Sequence, residues 1–69
     1  MTTATTITLN GEARPTSAAT IADLVTQLQL DLRKVAVERN LTIIPRSAYA
    51  TTPINDGDRI EIVGFIGGG

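Results

Sequence analysis

The dipeptide Asn10-Gly11, set between TTITL and EARP, dictates how the chain begins. Both central residues of a type I′ turn need positive φ, and Asn-Gly is the pair that meets this demand most easily. TTITL is rich in β-branched residues and alternates, placing Ile7 and Leu9 on one face. Residues 12–14 form the predicted return strand, with Pro15 ending it or confining it to a sheet edge. The chain therefore opens with a β-hairpin.

TIADLVTQLQL follows, and its period changes from two to 3.6. Thr20 is a predicted helix cap, with Asp23 three residues on where an acidic side chain suits the positive end of the dipole. Ile21, Leu24, Val25 and Leu28 fall on one stripe, which predicts a single amphipathic helix over residues 21–29. Leu30 and Leu32 are expected to plug its exit against the core. VAVER alternates again, with Val35 and Val37 inward and Ala36 and Glu38 outward. Asn40-Leu41 is a predicted reversal into a short strand, residues 42–44, halted by Pro45. Residues 46–52 read as irregular or a brief helical turn. Asn55-Asp56-Gly57-Asp58 is a second strong turn signal. The last predicted strand covers residues 59–63, with Ile60 and Ile62 inward and Glu61 and Val63 outward.

A hairpin, one crossover helix and further strands make an α+β unit with the helix on one face of one sheet. That pattern is a β-grasp, ubiquitin-like fold with a mixed sheet of four to five strands. Residues 1–63 are the predicted domain and residues 64–69 a flexible glycine-rich tail.

Composition narrows the function. The chain has 69 residues, enough for one small core, and no cysteine to staple it. With neither cysteine nor histidine, it lacks the usual nucleophile, general base and metal ligand, so it is not expected to be an enzyme. Six basic and seven acidic residues are scattered, and Tyr49 and Phe65 are the only aromatics, so nucleic acid is an unsuitable partner. No apolar run reaches membrane-spanning length and MTTATT does not read as a secretory signal, so a cytoplasmic protein is expected. Asp56 and Asp58 are too few for a calcium loop and belong to a turn. Arg46 and Ser47 are expected to fix a loop, and Tyr49 to plug the core or its rim.

VAVERN, then PRSAY, then INDGDRIEIV and finally GGG, in that order, resemble the sulfur-carrier family of thiamine biosynthesis, ThiS, which is related to the molybdopterin carriers of the MoaD type. The resemblance runs from the NGE hairpin to the tail. Leu41 and Gln29 depart from it, standing where glycine is common in the family, and both departures concern turn geometry.

The resemblance implies that the C-terminal carboxylate of Gly69 is the working group. A ThiF-like adenylating enzyme activates it with ATP, a persulfide donor converts it to a thiocarboxylate, and a ThiG-like thiazole synthase receives the sulfur. The chain itself would carry no cofactor and no metal. Gly67 and Gly68 would give narrow access, since residues 64–69 span roughly 20 Å when extended and glycine lacks a side chain to jam a channel. Val63, Phe65 and Ile66 are the expected partner contacts, with Ala36 extending the patch. Two rivals remain: a molybdopterin-type sulfur carrier, and a ubiquitin-like protein modifier. An inert interaction module of the same fold is a third, since a terminal GGG by itself is as readily a loose end.

Overall fold

The structure, a computed structural model, describes residues 5–64. β1 (Thr5–Leu9) and β2 (Glu12–Thr16) form the opening hairpin, and α1 (Ile21–Gln27) crosses to β3 (Val35–Arg39). β4 (Thr42–Ile44) returns beside β3, and β5 (Arg59–Gly64) closes the sheet. The strand order is β2-β1-β5-β3-β4, with β1 and β5 parallel and the other neighbours antiparallel. This is the expected mixed sheet with one helix, and it has five strands. No helix among the described residues is long and apolar enough to cross a membrane.

One face of the sheet holds the core. Ile7, Val35, Val37, Ile60 and Ile62 meet Ile21, Leu24 and Val25 of the helix, all buried. Tyr49 and Ile54 complete this aliphatic cluster. The Tyr49 hydroxyl donates to the Val35 carbonyl at 3.0 Å, so its one polar atom is satisfied inside the core. Arg46 donates to the Arg33 carbonyl at 3.0 Å and ties its loop down, as expected of the PRS segment.

The helix is shorter than residues 21–29. Thr20 caps it, accepting from the Asp23 N–H at 3.2 Å. At the other end Gln29 turns to φ +62, its N–H donating to Thr26 and that of Leu30 to Val25. These two bonds are a Schellman closure, which stops the helix at Gln27 and swings Leu30 outward. Leu30 is consequently exposed, whereas Leu32 does pack against the core. Of the two expectations for Pro15 the edge placement holds: it lies inside β2, an edge strand that runs on to Thr16. β5 runs through Gly64, whose Cα pairs with Val35, so the sheet ends one residue later than the predicted boundary at residue 63.

Both Asn-led reversals use positive φ at two successive residues: Asn10 (+49) with Gly11 (+87), and Asn40 (+52) with Leu41 (+71). Gly11 adopts this freely, but a leucine there presses its Cβ toward the carbonyl that follows. Leu41 is also 73% exposed, so it gains little from burial.

The Asn55–Asp58 turn is fastened from several sides. Asp58 accepts from Arg39 Nε (2.9 Å), the Asn40 amide (3.0 Å) and the Asn55 N–H (2.8 Å). Asp56 accepts from the Thr6 N–H at 2.8 Å, so both carboxylates are engaged in turn and strand contacts. Burial pushes the Asp58 carboxyl up, but the bonds from Asn55, Asn40 and Arg39 outweigh it and hold it below the ordinary aspartate value.

Two stability predictions follow from these turns. Leu41→Gly should stabilise the protein by about 0.5–1 kcal/mol, because relief of the left-handed leucine exceeds the added unfolded-state entropy. A matched pair of urea unfolding curves checks this, and an unchanged or lower midpoint would contradict it. Because the folded pKa of Asp58 is depressed, its contribution is complete above the unfolded value near 3.9 and is lost as pH falls through the lower folded value. Asp58→Asn should cost about 1–3 kcal/mol at pH 7 and flatten the fall of stability below about pH 4.

Candidate functional site

The alternation that buries Ile60 and Ile62 turns Glu61 and Val63 to the opposite face of β5. The register then decides what stands beside them. Val63 lies opposite Ala36, and Glu61 lies opposite Glu38. Glu38 in turn faces Ile43 on β4. This face carries no helix. Ala36 is exposed, Val63 is 61% exposed and Ile43 is 74% exposed. The row is therefore apolar at Val63 and Ala36, acidic at Glu61 and Glu38, and apolar again at Ile43. Glu61 forms an ion pair with Arg59, two residues back, at 3.2 Å. The Glu38 side chain has no hydrogen-bond or ionic partner among the described residues.

β5 is gripped up to the point where this patch begins. The backbone N–H of Asn10 donates to the Ile60 carbonyl at 3.0 Å. Its side-chain oxygen accepts from the Ile62 N–H at 2.8 Å, and its amide nitrogen donates to the Ile62 carbonyl at 3.2 Å. Asn10 thus continues the work of β1 for one more rung after the strand has ended at Leu9. On the other flank Asn40 accepts from the Arg59 N–H at 2.9 Å and donates its own N–H to the Arg59 carbonyl at 2.7 Å. Both turn asparagines hold the same strand, one near each end.

Of the expected site residues, Val63 and Ala36 are brought together side by side. Phe65, Ile66, Gly67, Gly68 and Gly69 lie outside the described residues. Gly64 remains in the ladder. Its φ is not in the left-handed region, and a Cβ built there meets nothing within 4 Å, so neither backbone nor packing demands glycine at this position. Among the described residues no cluster of three or more acidic groups comes together to hold a metal ion. Sequence reading missed the second duty of Asn10 and the Glu38–Glu61 pairing. The outward phase of VAVER and RIEIV was its only signal, and phase alone does not fix which residues stand opposite one another.

Comparison with known proteins places this arrangement. Residues 3–69 match the family model described as the ThiS family. A protein of Paramagnetospirillum magneticum named thiazole synthase is 56% identical over 64 residues, covering 91% of this chain but 20% of that protein. The sulfur carrier protein ThiS of Bacillus subtilis is 48% identical over 50 residues, 72% of this chain and 76% of that one. The crystal structure of a thiamine biosynthesis protein (ThiS) from Geobacter metallireducens superposes with a TM-score of 0.77 at 31% identity, covering 93% of this chain and 99% of that one. This chain therefore spans a fifth of the synthase relative and most of the carriers, and the shared fold is the β-grasp read from its pattern. The match across residues 3–69, together with the superposition on a solved relative over 93% of the chain, makes this chain a member of the ThiS family.

Proposed function

We propose that this chain is a sulfur carrier of thiamine biosynthesis, acting through a carboxylate at Gly69 rather than through a side chain. The observation that carries the reading is the family match over residues 3–69, which includes the glycine tail. The names of the relatives agree with it: one is a sulfur carrier and another a thiazole synthase. The residue inventory supports it too, since a chain without cysteine or histidine has no thiol or imidazole of its own to carry sulfur.

Chemically, a carboxylate is a poor electrophile until one oxygen becomes a leaving group. An adenylating enzyme of the ThiF type supplies this: the Gly69 carboxylate attacks the α-phosphorus of ATP and pyrophosphate departs. The terminal sulfur of a persulfide donor then attacks the acyl carbon and AMP leaves. A thiol cleaves the resulting acyl disulfide, providing the two electrons, and a thiocarboxylate remains. Thiazole synthase takes the sulfur. ATP belongs to the activating enzyme, and the chain holds no cofactor of its own. Its part is to present the terminus, with Gly67 and Gly68 leaving room in two partners' channels and Val63, Phe65 and Ile66 making contact beside it.

Incubation with ATP, the adenylating enzyme and a sulfur source should give an intact-mass increase equal to one oxygen replaced by sulfur, mapped to Gly69. A variant with one residue added after Gly69 should show none, and full conversion of that variant would overturn the assignment. Phe65→Asp should weaken affinity for the adenylating enzyme about tenfold or more without lowering the unfolding midpoint. Titration calorimetry beside thermal melts separates the two effects.

A further inference from the structure

Asn10 does more than its turn requires. A type I′ reversal asks for positive φ at its first central residue, which Asn10 supplies at +49 and a glycine would supply equally. Nothing in that demand uses the side-chain amide. Both of its polar atoms nevertheless go to one residue of β5. The side-chain oxygen accepts from the Ile62 N–H at 2.8 Å, and the nitrogen donates to the Ile62 carbonyl at 3.2 Å. The amide offers the same donor and acceptor as a peptide group, and it stands where β1 would have continued had the backbone not turned away after Leu9. On the β3 side, β5 is paired as far as Gly64 with Val35. On the β1 side the last register pair is Leu9 with Ile60. Beyond it, among the described residues, the bonds from the hairpin to β5 all come from Asn10: its N–H to the Ile60 carbonyl and its side chain to Ile62. Asn10 thus decides whether residues 62–64 leave the sheet as an inner strand or as an edge held from one side.

We propose that Asn10 is a positioning residue for sulfur loading. Its side chain fixes the end of β5, and so the point and direction from which the Gly69 carboxylate is carried to the α-phosphorus of ATP in the adenylating enzyme. The proposal rests on the functional reading above and adds a residue that acts through Ile62 rather than on the reacting atoms. Gly64 is followed by the five residues that end at Gly69, so any freedom at residues 62–64 is passed on to the carboxylate. A misplacement of about 1 Å, even from a change remote from the chemistry, can cost roughly a hundredfold in rate. Affinity is a separate matter. With Asn10 cut back, the β3 ladder still holds Val63 beside Ala36, so the contact beside the exit is kept while the aim of the terminus is lost.

Asn10→Gly keeps a residue suited to the turn and removes both side-chain bonds. Asn40→Gly is the matched control: its φ is +52, and its side chain likewise makes two bonds, to the Arg59 N–H and to Asp58, at the start of β5. Each full-length variant is mixed with excess adenylating enzyme and ATP, and adenylate formation at Gly69 is timed over a single turnover by intact mass. For Asn10→Gly the rate at saturating enzyme should fall about tenfold or more, while the enzyme concentration giving half that rate moves less than about twofold. Its Ile62 amide should exchange with solvent about tenfold faster than that of Asn40→Gly. Asn40→Gly should lower the melting temperature too, yet leave the saturating rate within about twofold of the unaltered chain. Asn10→Asp keeps an acceptor for the Ile62 N–H but sets a second acceptor against the Ile62 carbonyl, so its rate should lie between the two. That variant decides the matter if Asn10→Gly does not fold. An unchanged saturating rate for Asn10→Gly, an equal fall for Asn40→Gly, or a loss confined to affinity overturns the proposal. If the unaltered chain is not adenylated, the functional reading itself falls, whereas normal loading of both it and Asn10→Gly removes only the positioning role.

Discussion

The parallel contact between β1 and β5 joins the first and last strands through only two register pairs, Thr8 with Arg59 and Leu9 with Ile60. Without it the chain would be a hairpin, a helix and an antiparallel ribbon with no shared core. Two pairs are few for that duty, and the surrounding turns extend the contact. The Gly57 N–H donates to the Thr6 carbonyl at 2.8 Å and the Thr8 N–H to the Asp58 carbonyl at 2.9 Å, below the strand pairing. Asn10 adds its side-chain bonds to Ile62 above it. The junction thus spans residues 6–10 and 57–62, and Ile7 and Ile60, both almost fully buried, lie at its centre.

That junction explains why the Asn55–Asp58 turn carries so much polar structure. A two-strand parallel contact has no hairpin to set its register, so the turn before β5 must do so. Asp56 fixes the turn to β1 through Thr6, and Asp58 fixes it to β3 through Arg39 and Asn40. The two aspartates therefore divide the sheet between them. A turn selected only for reversal would need neither bond.

Local chemistry made much of this legible. The period of two in TTITL, VAVER and RIEIV and the 3.6 period of the Ile21–Leu28 stripe gave strand, helix and core side correctly, because burial on one face imposes those periods directly. Asn10-Gly11 and Asn40-Leu41 were read as reversals, and both are. What escaped depends on non-local partners. The return strand predicted over residues 12–14 runs on to Thr16, because Pro15 sits at an edge with no strand beyond it. Leu30 faces solvent because Gln29, a residue without glycine's freedom, still takes the left-handed turn that closes the helix. Gly64 looked like an exit from the sheet, yet β3 begins early enough at Val35 to pair with it. The site was legible to the same degree: the outward positions of Ala36 and Val63 followed from alternation, whereas the opposition of Glu38 and Glu61 required the register.

A domain this small can fill only one face of its sheet, and that limit shapes what the other face can be. The single helix, seven residues long, covers the side bearing Ile7, Val37 and Ile60. The outward positions of β3, β4 and β5 have no second layer to bury them, so a stable free protein would favour paired charges or polar β-branched residues there. Here Glu38 stands opposite Glu61, which is ion-paired with Arg59, and Val63, Ala36 and Ile43 are exposed beside them. Glu61 and Val63 lie on β5, whose backbone is held by asparagines on both flanks. Side chains on a strand held this firmly keep a fixed spacing, so the outer face of β5 would lose little further entropy if it were covered.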